Sequence, residues 1–391
     1  MQQRYDIIIA GGGVAGLSLA YALTQSPLRD RSILIVERSI AQTANRTLSY
    51  WADRPTPFDA IAARSWDRLQ MVHEDGSAQA IGLDEYRYHT VRGEDFVAFV
   101  HQAIAACPHA EIVTGTVEAI EDGAHGAAVT IDGQRVQATW AFDSRFRPSD
   151  CDPDGTARTL YQHFKGWEIE TAEPVFDPGV ATLFDCRLPQ RGEWRFFYVL
   201  PYTEHRALVE VVALSRDGFD MLLRGYIERT LGISHYRVLA KEAGVTPLSD
   251  WRFPRRIGQH VMTIGVRGGR VKPSSGYAFQ RIQDDSAAIA RALLHDEDPF
   301  GVRESRRFPR LCDAGTLRIM QQRGEWLNPL MAGLFAQNPP DRILRFLDER
   351  AGWIERLAVG ASVLSVLVRQ ALTPRPAAPQ PRTDLCRTTS Q

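Results

Sequence analysis

Long apolar runs, cysteine pairs and an excess of charge of either sign are all missing from this 391-residue chain. No stretch approaches the roughly 18 consecutive apolar residues of a transmembrane helix. The five cysteines (Cys107, Cys151, Cys186, Cys312 and Cys386) are odd in number and show no CxxC spacing. That excludes a disulfide framework and a thiolate metal site, fits a reducing compartment, and leaves no metal to be expected. Basic and acidic residues number 46 and 47, a formal net charge of -1, so the chain lacks the electrostatic footprint of a nucleic-acid binder. Lysine is nearly absent, occurring only at Lys165, Lys241 and Lys272, a bias read as compositional. The opening "MQQRYDIIIAGGG" enters a strand at once, so no signal peptide is expected. A cytoplasmic protein, soluble or peripheral to a membrane, is the expectation.

What is present is ordinary globular material, 44% hydrophobic and 24% charged, enough for two domains or one large domain carrying an insertion. "YDIIIA" (5–10) and "RSILIVERS" (31–39) have the Ile-rich, non-alternating pattern of buried parallel strands. Between them lies "GGGVAGLSLAYALTQ", a glycine turn feeding a helix. Gly11, Gly13 and Gly16 form G-x-G-x-x-G in this strand–turn–helix setting. The first glycine allows the tight turn, the second a close approach of pyrophosphate, and the third close helix–strand packing. The helix N-terminus offers free N–H groups to phosphate. Glu37 closes the second strand, where a carboxylate can accept bonds from ribose hydroxyls.

A nicotinamide-dependent dehydrogenase usually continues with alternating strands and helices. This chain instead runs into strand-rich blocks, "ATLFDCRL", "EWRFFYVLPY" and "HRALVEVVAL", and returns to a buried strand, "HVMTIGVRGG", only near residue 261. The discontinuity favours FAD, whose flavin ring reaches away from the nucleotide end and needs a second anchoring segment. "TIGVRGGRVKPSSGYAF" is the candidate, with a helix starting near Ser275–Gly276 whose positive end faces the flavin. A turn that only caps the following helix is the competing reading.

Several segments, in order, resemble the bacterial lycopene β-cyclase family: "YDIIIAGGGVAGLSLAYAL", "NRTLSYWADRPTPFD", "QHFKGWEIET", "FFYVLPYTEHRALVEVVALS", "GVTPLSDWRFPR" and "VKPSSGYAFQRIQ". The resemblance implies an α/β fold: a three-layer, Rossmann-like FAD-binding domain related to flavoprotein monooxygenases, with an inserted antiparallel-sheet substrate domain and C-terminal helices. The expected division is 1–75, 91–157 and 256–295 for the FAD-binding domain. Residues 76–90 and 158–255 fall to the substrate domain, 296–372 to a helical region and 373–391 to a disordered tail. The activity it implies is cyclisation of the linear ends of lycopene to β-ionone rings, giving γ-carotene and then β-carotene. Reduced FAD is required, with NAD(P)H as reductant and no net redox change. The cofactor-binding set so implied is Gly11, Gly13, Ala15, Gly16, Glu37, Arg38, Val117, Asp143, Gly265, Pro273, Ser275 and Gly276.

Such a reaction needs an acid that stays protonated near neutral pH, which burial among apolar groups provides. Glu210, inside "ALVEVVAL", is the candidate, sharing a strand face with Leu208 and Val212. A salt bridge to arginine or a solvent-facing position is the alternative. Asp250 in "PLSDW" is assigned auxiliary acid–base work, and Asp143 positioning of the flavin loop, with turn or cap roles open for both. Trp51, Trp167, Phe197, Tyr198 and Trp251 are candidates for holding a cation by their ring faces, or plain core.

Three departures from the family pattern stand out. Val211 and Val212 follow Glu210 where a hydroxylic or acidic residue is common, Arg267 occupies the glycine turn, and "RTLSYW" is less aromatic. They leave room for a cyclase of another polyene or prenylated metabolite, or an FAD-dependent monooxygenase. The stretch 353–372 is an apolar helix flanked by arginines, suited to a membrane interface or to the core. A hydrophobic polyene and a membrane surface are the partners expected.

Overall fold

The computed structural model describes residues 2–39, 44–301 and 307–372, so the expected tail, 373–391, lies outside the described residues. The chain opens with β1 (Arg4–Ala10), α1 (Val14–Thr24) and β2 (Ile33–Glu37). Then come β3 (Thr47–Ala52), β4 (Ala62–Trp66), β5 (Arg68–Val72), β6 (Ala78–Gly82), β7 (Arg87–Arg92) and α2 (Gly93–Ala105). A second strand run follows: β8 (Ala110–Thr114), β9 (Val117–Gly123), β10 (Gly126–Ile131) and β11 (Gln134–Asp143). The middle of the chain is β12 (Thr159–Thr171), β13 (Ala181–Asp185), β14 (Phe196–Thr203), β15 (Arg206–Ala213), α3 (Phe219–Gly225) and β16 (Tyr236–Ser249). The last strand is β17 (Val261–Thr263), followed by α4 (Phe279–Leu294), α5 (Arg307–Arg323), α6 (Leu327–Gln337), α7 (Pro340–Leu347) and α8 (Trp353–Leu372).

The nucleotide sheet has the order β8-β2-β1-β11-β10-β9. The contacts β8–β2, β2–β1 and β1–β11 are parallel. β11 is long enough to serve two neighbours on one edge. Its first half pairs antiparallel with β10, and Ala141–Asp143 pair in parallel with β17. The chain thus comes home to this sheet at residue 261, as the apolar "HVMTIG" implied. Ile8 and Ile9 on β1 are fully buried, each contributing roughly 1.5–3 kcal/mol. α1, α2 and α4 pack on one side of the sheet. Gly16 sets how near α1 comes, for a Cβ there would overlap the carbonyl oxygen of Gly11 and press on Ile9 Cγ2.

The substrate sheet has the order β16-β12-β15-β14-β13-β5-β6. Period-2 alternation gives it two faces. Val209, Val211, Phe197 and Trp167 point to one side, under α3. Leu208, Val212, Phe196 and Leu200 point to the other, toward the C-terminal helices. β5 falls within the stretch 1–75 expected for the nucleotide domain, yet it pairs with β13. β3, β7 and β4 form a third, three-stranded sheet between the two large ones. The buried Arg255–Asp285 pair, at 2.7 and 3.1 Å, ties the strap after β16 to α4.

Candidate active site

The two glycine segments, 250 residues apart in sequence, meet at the C-terminal end of the nucleotide sheet. Gly11 has φ +101°, a backbone region that side chains rarely adopt. Gly13 caps α1 with no side-chain bond, which leaves the first-turn N–H groups free for an anion. Glu37 accepts from Gly12 N (2.5 Å) and Ser39 N (2.7 Å), one bond to each oxygen, so lone pairs remain for a ligand hydroxyl. Arg38 next to it is exposed. Gly265 has φ +64° and lies directly against Ala15, where a Cβ would strike the Ala15 methyl. Ser275 Oγ is buried with no partner, and Gly276 (φ +78°) leaves its own space open beside Gln162. An orphaned hydroxyl and side-chain-free positions on both walls fit a dinucleotide cofactor.

One expectation for this region is corrected. The helix after the second turn starts at Phe279, not near Ser275–Gly276. Residues 272–276 instead close on themselves, with Ser275 N and Gly276 N donating to Lys272 O at 3.2 and 2.8 Å. Pro273, with no N–H, sits inside this loop, and Lys272 anchors it through a buried pair of bonds to Asp313 (3.0 Å) and Glu349 (2.9 Å). Arg267 does not present its charge to the cavity. It donates to Arg145 O (2.9 Å) and pairs with Asp143 at 3.2 Å. Asp143, at the end of β11, also accepts from Arg145 N, Nε and Nη2 at 2.9–3.0 Å. Arg145 Nη1 in turn bonds the buried Val117 carbonyl. One carboxylate holds two guanidiniums and ties the segment after β11 to the turn after β17.

From the second turn a cavity of about 280 Å³ runs to the front face of the substrate sheet. Leu48, Phe164, Leu200, Leu208, Val212, Val271, Phe279 and Ile282 make its walls apolar. Three tyrosines converge in it, with Tyr277 Oη 3.0 Å from Tyr88 Oη and 3.4 Å from Tyr198 Oη. Burial pushes the Tyr88 hydroxyl up to about 12 and those of Tyr198 and Tyr277 further, so all three stay neutral.

Glu210 faces this cavity from β15, opposite Tyr198 on β14 and Gly166 on β12. Gly166 is also opposite Glu242 on β16. The row across the sheet is therefore Glu242, Gly166, Glu210, Tyr198. Glu242 accepts from Thr47 N at 2.5 Å, and its Oε1 is buried with no conventional donor. The two residues keep some exposure, but it opens into the cavity that they line. Burial first, then the charge of Glu242 and the hydrogen bond to it, raise Glu210 well above the usual carboxylate range. Glu242 is raised by burial too, but the Thr47 N–H, the bond from Glu210 and Arg46 oppose this. Burial thus favours a proton on this pair, and the bonds that oppose it act on Glu242.

Asp250 is not part of this constellation. It accepts from Arg158 N at 2.7 Å and lies 3.9 Å from Arg158 Nη1, closing the end of the β12–β16 ladder. Of the two roles open for it, these contacts are those of the turn or cap, and Asp250 does not line the cavity. Of the five aromatic candidates only Tyr198 lines the cavity. Trp51 stands behind Tyr277 at 4.2 Å, while Trp167 and Phe197 belong to the opposite face of the sheet. Sequence reasoning missed Glu242, Tyr88 and Tyr277. Gly166 and Gly244, unusual inside strands, were the signal available.

A family model described as lycopene cyclase protein matches residues 6–373. A lycopene beta cyclase of Capsicum annuum is 22% identical over 309 residues, covering 74% of this chain and 60% of that protein. The chain thus spans less than two thirds of that plant relative. A lycopene beta-cyclase of Paracoccus sp. is 25% identical over 378 residues, covering 91% of this chain and 90% of the relative. Among solved structures, a flavin-dependent brominase superimposes with a TM-score of 0.61 at 14% identity, covering 94% of this chain and all of that one. At that identity the likeness is one of fold.

Proposed function

The chain belongs to the lycopene cyclase family, and we propose that it closes the linear ends of lycopene into β-ionone rings with reduced FAD bound between its two glycine segments. The observation that carries this reading is one apolar cavity holding a proton-retaining Glu210 at one end and the Ser275–Gly276 turn at the other.

FAD would be held by the free N–H groups after Gly13, the Glu37 carboxylate, Ser275 Oγ and the side-chain-free positions Gly11, Gly265 and Gly276. When bound and reduced, with NAD(P)H as electron source, it would supply an electron-rich ring system. Glu210 gives its proton to the terminal alkene, making a C–H bond and leaving a tertiary cation. The internal double bond attacks that cation, a C–C bond closes the ring, and a ring carbon then releases a proton to the Glu210 carboxylate, which is thereby reloaded. One proton enters and one leaves, so substrate and product are isomers. Tyr88, Tyr198, Tyr277 and Phe164 surround the cation with ring faces, and the apolar walls keep out the water that would trap it.

A C40 hydrocarbon has to come from a bilayer. Trp353, Ile354, Leu357, Leu364, Val368 and Leu372 lie along one side of α8 and are 47–78% exposed, while Val359, Ser362 and Val366 pack inward. No helix among the described residues is long and apolar enough to cross a membrane. The exposed stripe suits an interfacial position on the cytoplasmic face, with the polyene drawn from the lipid.

Anaerobic incubation with lycopene-loaded liposomes and catalytic NADPH tests the reading. β-Carotene or γ-carotene should form without stoichiometric NADPH loss. Lycopene left intact by protein with bound, reducible flavin would refute this substrate. Substrate-dependent oxygen uptake in air would indicate a monooxygenase instead.

A further inference from the structure

Resting on the reading above, we propose that Glu210 and Glu242 share one proton across Gly166, and that Glu242 is the positioning residue that keeps Glu210 loaded as acid. Three observations carry it. The register sets Glu242 and Glu210 on either side of Gly166, facing the same cavity. An alanine Cβ at Gly166 would sit 3.0 Å from Glu242 Cγ, 3.1 Å from its Oε1 and 2.9 Å from Leu208 Cδ1. The missing side chain is thus the space through which Glu242 leans toward its neighbour. Finally, Glu242 Oε1 is buried with no hydrogen-bond partner, on the residue that faces Glu210 across Gly166.

The two oxygens of Glu242 have separate tasks. Oε2 is held by the Thr47 N–H, which favours the ionised form. Oε1 is left to receive the Glu210 O–H. A carboxylate fixed beside a carboxylic acid makes ionisation of the acid costly, as in paired-carboxyl sites generally.

The other groups facing the pair do not supply a competing charge of the same kind. Tyr198 on β14 and Tyr88 on β7 are neutral, Tyr277 from the turn is neutral, and Tyr202 on β14 is raised by burial and by Glu242 and Glu168. Arg46, before β3, is the cation that acts on Glu242 and lines the rim. Arg92 acts near Tyr202 and is paired with Glu168 at 3.1 Å.

The test uses flavin-loaded, full-length wild type and the variants Glu242→Gln, Glu242→Asp and Gly166→Ala. The first readout is the infrared carboxylic-acid band titrated by pH, with Glu210→Gln identifying the band. The second is the pH profile of turnover. The expected result is a protonated carboxyl at neutral pH in wild type whose midpoint falls by about one unit or more in Glu242→Gln, where the neighbouring charge is lost. The alkaline limb of turnover should move with it. Gly166→Ala should shift both in the same direction, and Glu242→Asp, which keeps the charge, should recover most of the wild-type midpoint. An unchanged midpoint in Glu242→Gln with flavin content intact would overturn the proposal. Because the infrared titration needs no turnover, absence of cyclisation by every protein would count against the functional reading alone.

Discussion

Replacing Glu210 by glutamine should separate chemistry from stability with a sign that geometry dictates. In the folded protein burial and Glu242 hold Glu210 well above the usual carboxylate range. The unfolded chain ionises it near 4.3. Between those values the native state binds one proton more than the unfolded state, so stability is full below the unfolded pKa and falls as pH rises. The loss is up to about 1.4 kcal/mol per pH unit until Glu210 itself ionises. With an unfolding entropy of roughly 0.8 kcal/mol per kelvin for a chain this long, that amounts to about 2 °C in Tm per unit. Glutamine has no proton to lose, and its amide N–H can still donate to Glu242 Oε1. The wild-type Tm should therefore drop relative to Glu210→Gln by about 3–4 °C between pH 5 and pH 7. Scanning calorimetry of both flavin-loaded proteins at matched scan rate measures it. Turnover of the variant should fall by about 10²–10⁴ while its flavin content is unchanged. Parallel Tm curves across this range would show that Glu210 is not held protonated by the fold, and the acid assignment would go with it.

Gly16→Ala puts a Cβ onto the Gly11 carbonyl and should cost roughly 1–3 kcal/mol, with loss of bound flavin seen in the absorbance of the purified protein. Full flavin content at unchanged Tm would contradict the close-approach argument. Tyr277→Phe removes the hydroxyl that joins Tyr88 and Tyr198, so kcat should fall more than tenfold at little change in KM, about 1.4 kcal/mol or more in the transition state. Leu357→Asp with Leu364→Asp alters only exposed positions of α8 and should abolish liposome flotation without changing Tm. Undiminished flotation would rule out that stripe as the lipid contact.

How much of this was legible in the sequence depends on the range of the interaction. The first glycine turn is local: strand, turn, helix and acid lie within 34 residues, Arg4 to Glu37, and each has its own residue-type signature. Glu210 was legible for the same reason, as a lone acid in an apolar strand. Glu242 was not, because its meaning arises from pairing between β12 and β16, some 70 residues apart, and single sequences carry no register. The tyrosine triad is drawn from β7, β14 and the turn after β17, and each member alone reads as core. Asp250 follows the cavity residues Thr246 and Pro247 closely in sequence, but its carboxylate is taken up by Arg158, a pairing no local pattern announces. The helix start at Phe279 was missed because a turn closed on the Lys272 carbonyl has the same Pro-Ser-Ser-Gly composition as a helix cap.

The departure at Val211 looks different once strand alternation is applied. Val211 is fully buried among Phe197, Val209 and Tyr226 on the side of the sheet away from the cavity. An acid there cannot reach the reacting end, so valine at 211 removes nothing from the chemistry, and Val212 rather than Val211 is the cavity wall. The second carboxyl of this site comes instead from Glu242, two strands away. The consequence is sharp. Val211→Asp should place an unpaired carboxyl in an apolar layer at a cost of several kcal/mol, lowering Tm, while leaving the alkaline limb of the turnover profile where it was. Val212→Asp, one residue on, should do the reverse: it adds a third carboxyl to the cavity and raises the pH at which the acid is lost. If Val211→Asp moved the limb and Val212→Asp did not, the faces assigned to β15 would be inverted and Glu210 would lie in the wrong layer to act as the acid.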